Sequence, residues 1–180
     1  TPGGESGQHA DDPNMTAPGA AGPLAHFDTP DIVRRNTATK DVLALFLPEL
    51  IGRLGLRTAV DVGTGFGYFS RYAHELGLQV EGLDVRPENV EEARRRHPDI
   101  SFAVADVEET VPMQRGPYDV VLCLGVLHHL ENPLKALRNL TSLTAHLLIV
   151  EAMATPFPRE VLTLYDEVEA QHQGVRYLGL

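Results

Sequence analysis

The stretch Thr58-Ala59-Val60-Asp61-Val62-Gly63-Thr64-Gly65-Phe66-Gly67-Tyr68-Phe69-Ser70 decides the fold. Thr58 to Val62 is too short for a helix, is apolar apart from Thr58 and one acid, and runs into glycine, which reads as a buried strand. A glycine-rich turn follows at once, and Tyr68 to Leu76 then shows helical spacing. Strand, glycine turn and helix start in that order form the layout of a nucleotide-type ligand site, because glycine admits positive φ and lets a ligand lie against bare backbone.

The spacing narrows the ligand. It is G-x-G-x-G, and the third glycine of the dinucleotide fingerprint would fall on Tyr68, which counts against a nicotinamide oxidoreductase. The Gly-Lys-Ser/Thr of a P-loop is absent, so no lysine reaches terminal phosphates. The turn offers Asp61 instead, a carboxylate at the strand end that suits a cationic amino group and is equally suited to capping the turn.

Outward from this stretch the chain alternates. Downstream come strand Gln79 to Leu83, helix Pro87 to His97, strands Ile100 to Ala105 and Tyr118 to Leu124, helix Pro133 to Leu140, strand Ala145 to Val150, and a helix from Arg159 to about Gln171. Upstream, apolar residues recur at helical spacing from Lys40 to Leu54, with Pro48 set to kink or divide that helix. The alternation predicts βαβ crossovers: a doubly wound, Rossmann-like, mostly parallel sheet of order 3-2-1-4-5 with helices on both faces. Asp84 closes the second strand, where an acid accepts hydrogen bonds from ribose hydroxyls, and Asp106 follows the third, placed for an adenine amino group. Residues 1–23, rich in Gly and Pro and without Lys, Arg or an aromatic, read as a flexible tail before a single folding unit of residues 24–180.

These residues resemble the class I S-adenosylmethionine-dependent methyltransferases over about residues 56 to 155. Asp61 to Gly67 matches the cofactor loop, Leu83-Asp84-Val85 the ribose edge and Ala105-Asp106-Val107 the adenine edge. Tyr118 to Leu130, ending Cys-Leu-Gly-Val-Leu-His-His-Leu, matches the fourth-strand segment that runs past the methionine moiety. The resemblance implies S-adenosyl-L-methionine as cofactor, with Asp61, Gly63, Thr64, Gly65, Gly67, Tyr68, Asp84, Val85, Asp106, Val107 and Leu124 around it. It implies methyl transfer by in-line displacement, for which positioning is the protein's main contribution. His128 and His129 follow the fourth strand. In extended chain only one of two neighbours faces the methyl group, so His129, or else His128, is the candidate general base, while the plainer reading is that both are structural or merely line the cleft. Phe27, Arg34, Arg35 and Lys40 fall where this family keeps substrate-covering elements.

Composition sets the partners. The 25 acidic against 15 basic side chains leave a formal net charge of -10, which repels phosphate backbones, and with no Trp few side chains stack on bases. Arg94-Arg95-Arg96 is preceded by Glu88, Glu91 and Glu92 on the same helix, which predicts a self-paired face rather than a nucleic-acid patch. A small-molecule acceptor of O- or N-methylation is therefore expected, with a tRNA-modifying enzyme and a non-catalytic cofactor-binding module as the alternatives. Cys123 with His128 and His129 lacks a fourth ligand and standard spacing, so no metal is expected, and the lone cysteine fits a core position in a reducing, cytoplasmic compartment. No apolar run is long enough for a membrane helix, and no secretory leader is read at the start. The family's sheet has seven strands and five are counted here, so a C-terminally shortened domain with an open edge, covered by a second copy of the chain, is expected.

Overall fold

The computed structural model describes residues 27–109 and 116–153. The tail at 1–23 and the helix expected from Arg159 lie outside the described residues.

Five strands form one sheet: β1 Thr58–Val62, β2 Gln79–Asp84, β3 Ser101–Val104, β4 Tyr118–Leu124 and β5 Thr144–Glu151. Their order is β3-β2-β1-β4-β5 and every neighbouring pair is parallel. All five C-terminal ends therefore share one edge, and the residues after β1, β2, β3 and β4 meet there. Helices α1 Pro30–Ala44, α2 Leu47–Leu54, α3 Tyr68–Glu75 and α4 Pro87–Arg96 precede or link the first three strands, and α5 Pro133–Leu143 links β4 to β5.

Side-chain alternation along the strands feeds two cores. Leu43, Leu47, Phe69, Tyr72, Val90 and Ala93 cover one face with α1 to α4, while Ala136, Leu140 and Leu143 of α5 pack on Val60, Val121 and Cys123 of the other. Strands buried on both faces carry no polar alternation, which is why β1 and β4 read as near-continuous apolar runs. Two polar pairs pin the base of the sheet: Asp119 accepts from the backbone N–H groups of Arg57 and Thr58 at 2.7 and 2.9 Å, and the Tyr118 hydroxyl donates to buried Glu81.

Proline and glycine set the element ends. Pro48 has no N–H and its ring would collide with the carbonyl of Ala44, and α1 ends at Ala44 while α2 restarts with Pro48 in its first turn. Pro48 thus divides the helix rather than kinking it, and the first part begins ten residues before the expected start at Lys40, at Pro30. Its early turns bury almost nothing apolar, so periodicity gave no sign of them.

Candidate functional site

The loop after β1 is built to keep its backbone open. Gly63, Gly65 and Gly67 all have positive φ, at 74°, 54° and 87°, a region costly for any residue with a Cβ. The N–H groups of Gly63 and Thr64 donate to the Leu83 carbonyl at 2.7 and 2.9 Å, which hooks the loop onto the end of β2.

Asp61 lies beneath this loop, only 2% exposed. Its Oδ2 accepts from the hydroxyls of Thr64 at 2.9 Å and Ser70 at 2.7 Å, binding β1, the loop and α3 into one unit. Burial pushes its carboxyl up to about 6, against the pull of those hydroxyls. Of the two roles expected for Asp61, holding the turn is the one these bonds fulfil. Thr64 faces the same way, its hydroxyl turned down into the Asp61–Ser70 pair, so its backbone is what it offers the crevice.

Asp84 ends β2 at 7% exposure and grips both flanks of the crevice. Oδ2 accepts the Gly65 N–H at 2.9 Å, while Oδ1 accepts from the Arg86 backbone and the Asn89 side chain, each at 3.0 Å. Burial raises its carboxyl despite these donors. Asp106 sits two residues beyond β3, where Oδ1 accepts the Glu108 N–H at 2.8 Å in an Asx turn. Val85 is half-buried beside Asp84. Val107 and Leu124 are buried in the two cores, so their side chains support the crevice from below. Tyr68, 37% exposed, stands edge-on to Phe69 at the start of α3.

The two histidines depart from the sequence expectation. The chain after β4 is not extended: Leu127–His129 is a 3-10 turn, and the His128 and His129 rings lie 4.1 Å apart on the same side rather than pointing opposite ways. His128 Nδ1 accepts from the Met153 N–H at 3.4 Å. Cys123 is a core residue whose thiol burial pushes up to about 12, with the charges of Asp61 and Glu151 adding to the effect. Among the described residues no three His, Cys, Asp or Glu side chains gather to hold a metal. The arginine run is consumed locally: Arg95 and Arg96 pair with Glu92, and Arg94 donates to the Phe102 carbonyl.

What sequence reasoning left at the margin is the roof. Phe27 lies against the loop, so near that a Cβ on Gly65 would come within 2.8 Å of its ring, and it packs on Phe66 at 4.6 Å. Asp28 holds that segment down through a two-bond pair with Arg96, at 2.7 and 2.9 Å, whose guanidinium also covers the Phe66 ring. Arg35 leans on Gly125 in the same manner. Between α1, α3 and the loop lies a cavity of about 410 Å³, lined among others by Phe27, Arg35, Lys40, Tyr72 and Gly125. In the sequence Phe27, Arg35 and Lys40 stood ahead of the core, among substrate-covering elements by resemblance alone, and Tyr72 only within the helical stretch Tyr68 to Leu76.

Residues 60–146 match the family described as "Methyltransferase domain". That segment, just under half of the chain, takes in the glycine loop, Asp84, Asp106 and the histidine turn. The chain is 31% identical over 97 residues to the ubiquinone biosynthesis O-methyltransferase of Bordetella avium (strain 197N), covering 52% of this chain and 40% of that protein. It is 35% identical over 88 residues to the protein of the same name from Xanthomonas campestris pv. campestris (strain B100), covering 47% and 37%. The chain thus spans about two fifths of the length of the curated relatives it matches. Among solved structures, Streptomyces venezuelae DesVI superposes with a TM-score of 0.55 at 17% identity, over 70% of this chain and 52% of that one, a likeness of fold.

Proposed function

We propose that the chain carries a class I methyltransferase domain that binds S-adenosylmethionine along the C-terminal edge of β1, β2 and β4 and methylates an oxygen or nitrogen of a small-molecule acceptor. The observation that carries this is the coupling of the glycine loop to Asp84: the Gly65 N–H is held by the carboxylate that ends β2, which this reading gives to the ribose. The residues fit the cofactor in kind. A floor of positive-φ glycines has no Cβ to obstruct a ligand, and acids follow the ends of β2 and β3.

In this reading Gly63, Thr64, Gly65 and Gly67 supply backbone, with Asp61 holding their shape. Asp84 takes the ribose hydroxyls and Asp106 the adenine amino group, between the apolar edges of Val85 and Val107. Leu124 and Tyr68 border the amino-acid end. When bound there, S-adenosylmethionine would supply an electrophilic sulfonium methyl for in-line displacement by the acceptor's lone pair. The domain's part is to align the acceptor, exclude water and, for a hydroxyl, remove its proton. His129 is our base, with His128 held beside it by its contact to Met153. The relatives' name, O-methyltransferase, favours oxygen as the acceptor atom. Val150 and Met153 are exposed at the β5 edge, where we place the contact between two copies of the chain, for sedimentation to decide.

Calorimetric titration with S-adenosylhomocysteine tests the cofactor site. Saturable binding is expected in the parent and its loss in Gly65→Arg, where a side chain would meet Phe27, and in Asp84→Ala. Unchanged affinity in both variants would refute it.

A further inference from the structure

The turn that carries the two histidines is fastened at its ends rather than enclosed, since Leu127, His128 and His129 are all partly exposed. At its start the Gly125 N–H donates to the Glu151 carbonyl at 2.9 Å. Val126 lies so close on the glycine loop that a Cβ on Gly63 would come within 2.1 Å of it. At the far end, two and three residues past His129, the N–H groups of Glu131 and Asn132 donate to the two carboxylate oxygens of Glu108, at 3.2 and 2.5 Å.

Glu108 belongs to the loop after β3 and is 7% exposed. Its own N–H donates to Asp106 Oδ1 at 2.8 Å, so the acid given above to the adenine and the acid that holds the histidine turn share one Asx turn. Asn139 of α5 fixes the backbone on either side of Glu108, its Nδ2 donating to the carbonyls of Val107 and Glu109, each at 2.7 Å. Four hydrogen bonds thus tie the adenine loop to residues 131–139.

This tie calls for a carboxylate. Bonds from backbone N–H groups to an ionised acid are among the strong ones, and the peptide dipoles at the start of α5 favour an anion there. Each oxygen takes one donor. A glutamine amide would accept at one position and turn its own N–H toward the other donor, which would then go unpaired. Both oxygens are taken by backbone, so Glu108 acts through the turn it holds.

We propose that Glu108 is a positioning residue for methyl transfer, linking the adenine loop to the histidine turn so that a nucleoside seated at Asp106 fixes where His129 stands. The inference rests on the methyl-transfer reading above.

Adenosine is the probe, because it fills only the adenine and ribose positions and brings no methionine end to the turn. Its binding to the full chain is measured by calorimetry, the response of the His128 and His129 rings by NMR, and amide protection by hydrogen exchange. In the parent, adenosine is expected to move the His129 signal saturably, at the calorimetric Kd. Glu108→Gln is expected to keep adenosine affinity within about threefold and to lose about half or more of the His129 response. It should also raise exchange of the amides of residues 130–132 about tenfold, with those of Val60 and Val121 unchanged. Asn139→Ala leaves the carboxylate in place and should lose a similar share of the response, which keeps the test open if Glu108→Gln does not fold. A full His129 response in both variants overturns the inference, as does a parent that binds adenosine without any response at His129. So does a loss of protection spread evenly over β1 and β4, which would make Glu108 a prop of the whole fold. A parent that binds neither adenosine nor S-adenosylhomocysteine overturns the methyl-transfer reading instead, and faster exchange confined to residues 130–132 in Glu108→Gln then upholds the fastening of the turn alone.

Discussion

Asp61 is costly to keep ionised, because it is enclosed between β1 and α3 and the hydroxyls of Thr64 and Ser70 with the Ser70 backbone do not offset its burial. Its carboxyl titrates near 6 in the fold against 3.8 in the open chain. Between those values the unfolded chain has released its proton and the folded one has not. The group's favourable contribution is therefore complete below about pH 4 and is lost as pH rises through 6, a change of roughly 3 kcal/mol for a shift of this size. Asp61→Asn keeps an acceptor for Thr64 and Ser70 and removes the titration. Urea midpoints of parent and variant should diverge between pH 4 and 7, with the variant gaining relative stability as pH rises; parallel profiles would refute the assignment. At the proposed base, His129→Ala should lower the turnover of an O-methylation about a hundredfold or more while cofactor affinity holds. Equal turnover would remove His129 from the mechanism. Asp84 was legible in the chain because its distance from the glycine loop and its place at a strand end are local facts. Arg35 was not, since nothing in Val33-Arg34-Arg35-Asn36 separates Arg34, exposed and paired with Asp31, from the neighbour that turns onto Gly125.

Each element begins where a residue forces it to. Pro30, Pro87 and Pro133 occupy first-turn positions whose N–H would go unpaired in any case, and Gly67 opens α3 in a left-handed conformation. Asn132 caps α5, its side chain accepting the Lys135 N–H at 3.0 Å, while its own N–H and that of Glu131 donate to buried Glu108. Asn132→Ala should cost about 1 kcal/mol, read as a lowered thermal midpoint, and Asn132→Asp should restore most of it. A variant as stable as the parent would show that Glu108 alone holds this end. Strand and helix types were plain in the sequence, and β1 and β4 agree end for end with their expected limits, because a doubly buried strand is a run of apolar residues bounded by turn formers. The start of α1 was not, because the helix is held by Phe27 on the loop and Asp28 on Arg96, contacts between distant segments that leave no period behind.

Across the whole molecule the sheet divides the core in two, and each side rests on a few fully enclosed side chains. Leu140 of α5 has no exposed surface, whereas Leu134, on the same helix, is 66% exposed. Leu140→Ala should cost about 2–5 kcal/mol and Leu134→Ala no more than about 0.5 kcal/mol, compared by urea unfolding. Similar losses from both would mean that Leu134 is covered in solution. No helix among the described residues is long and apolar enough to cross a membrane. The amino-acid sequence by itself determined the parallel sheet and its order, the glycine loop and the acids near the C-terminal ends of β1, β2 and β3. Those are signals written in consecutive residues, and the handedness of βαβ crossovers leaves few other arrangements. Only the tertiary structure decided that Asp61 faces inward to hold its loop, that the two histidines share one turn, and that Arg35 and Tyr72 line the same cavity. The direction a side chain takes depends on which helix lies across from it, and that packing is set by surfaces brought together from distant parts of the chain.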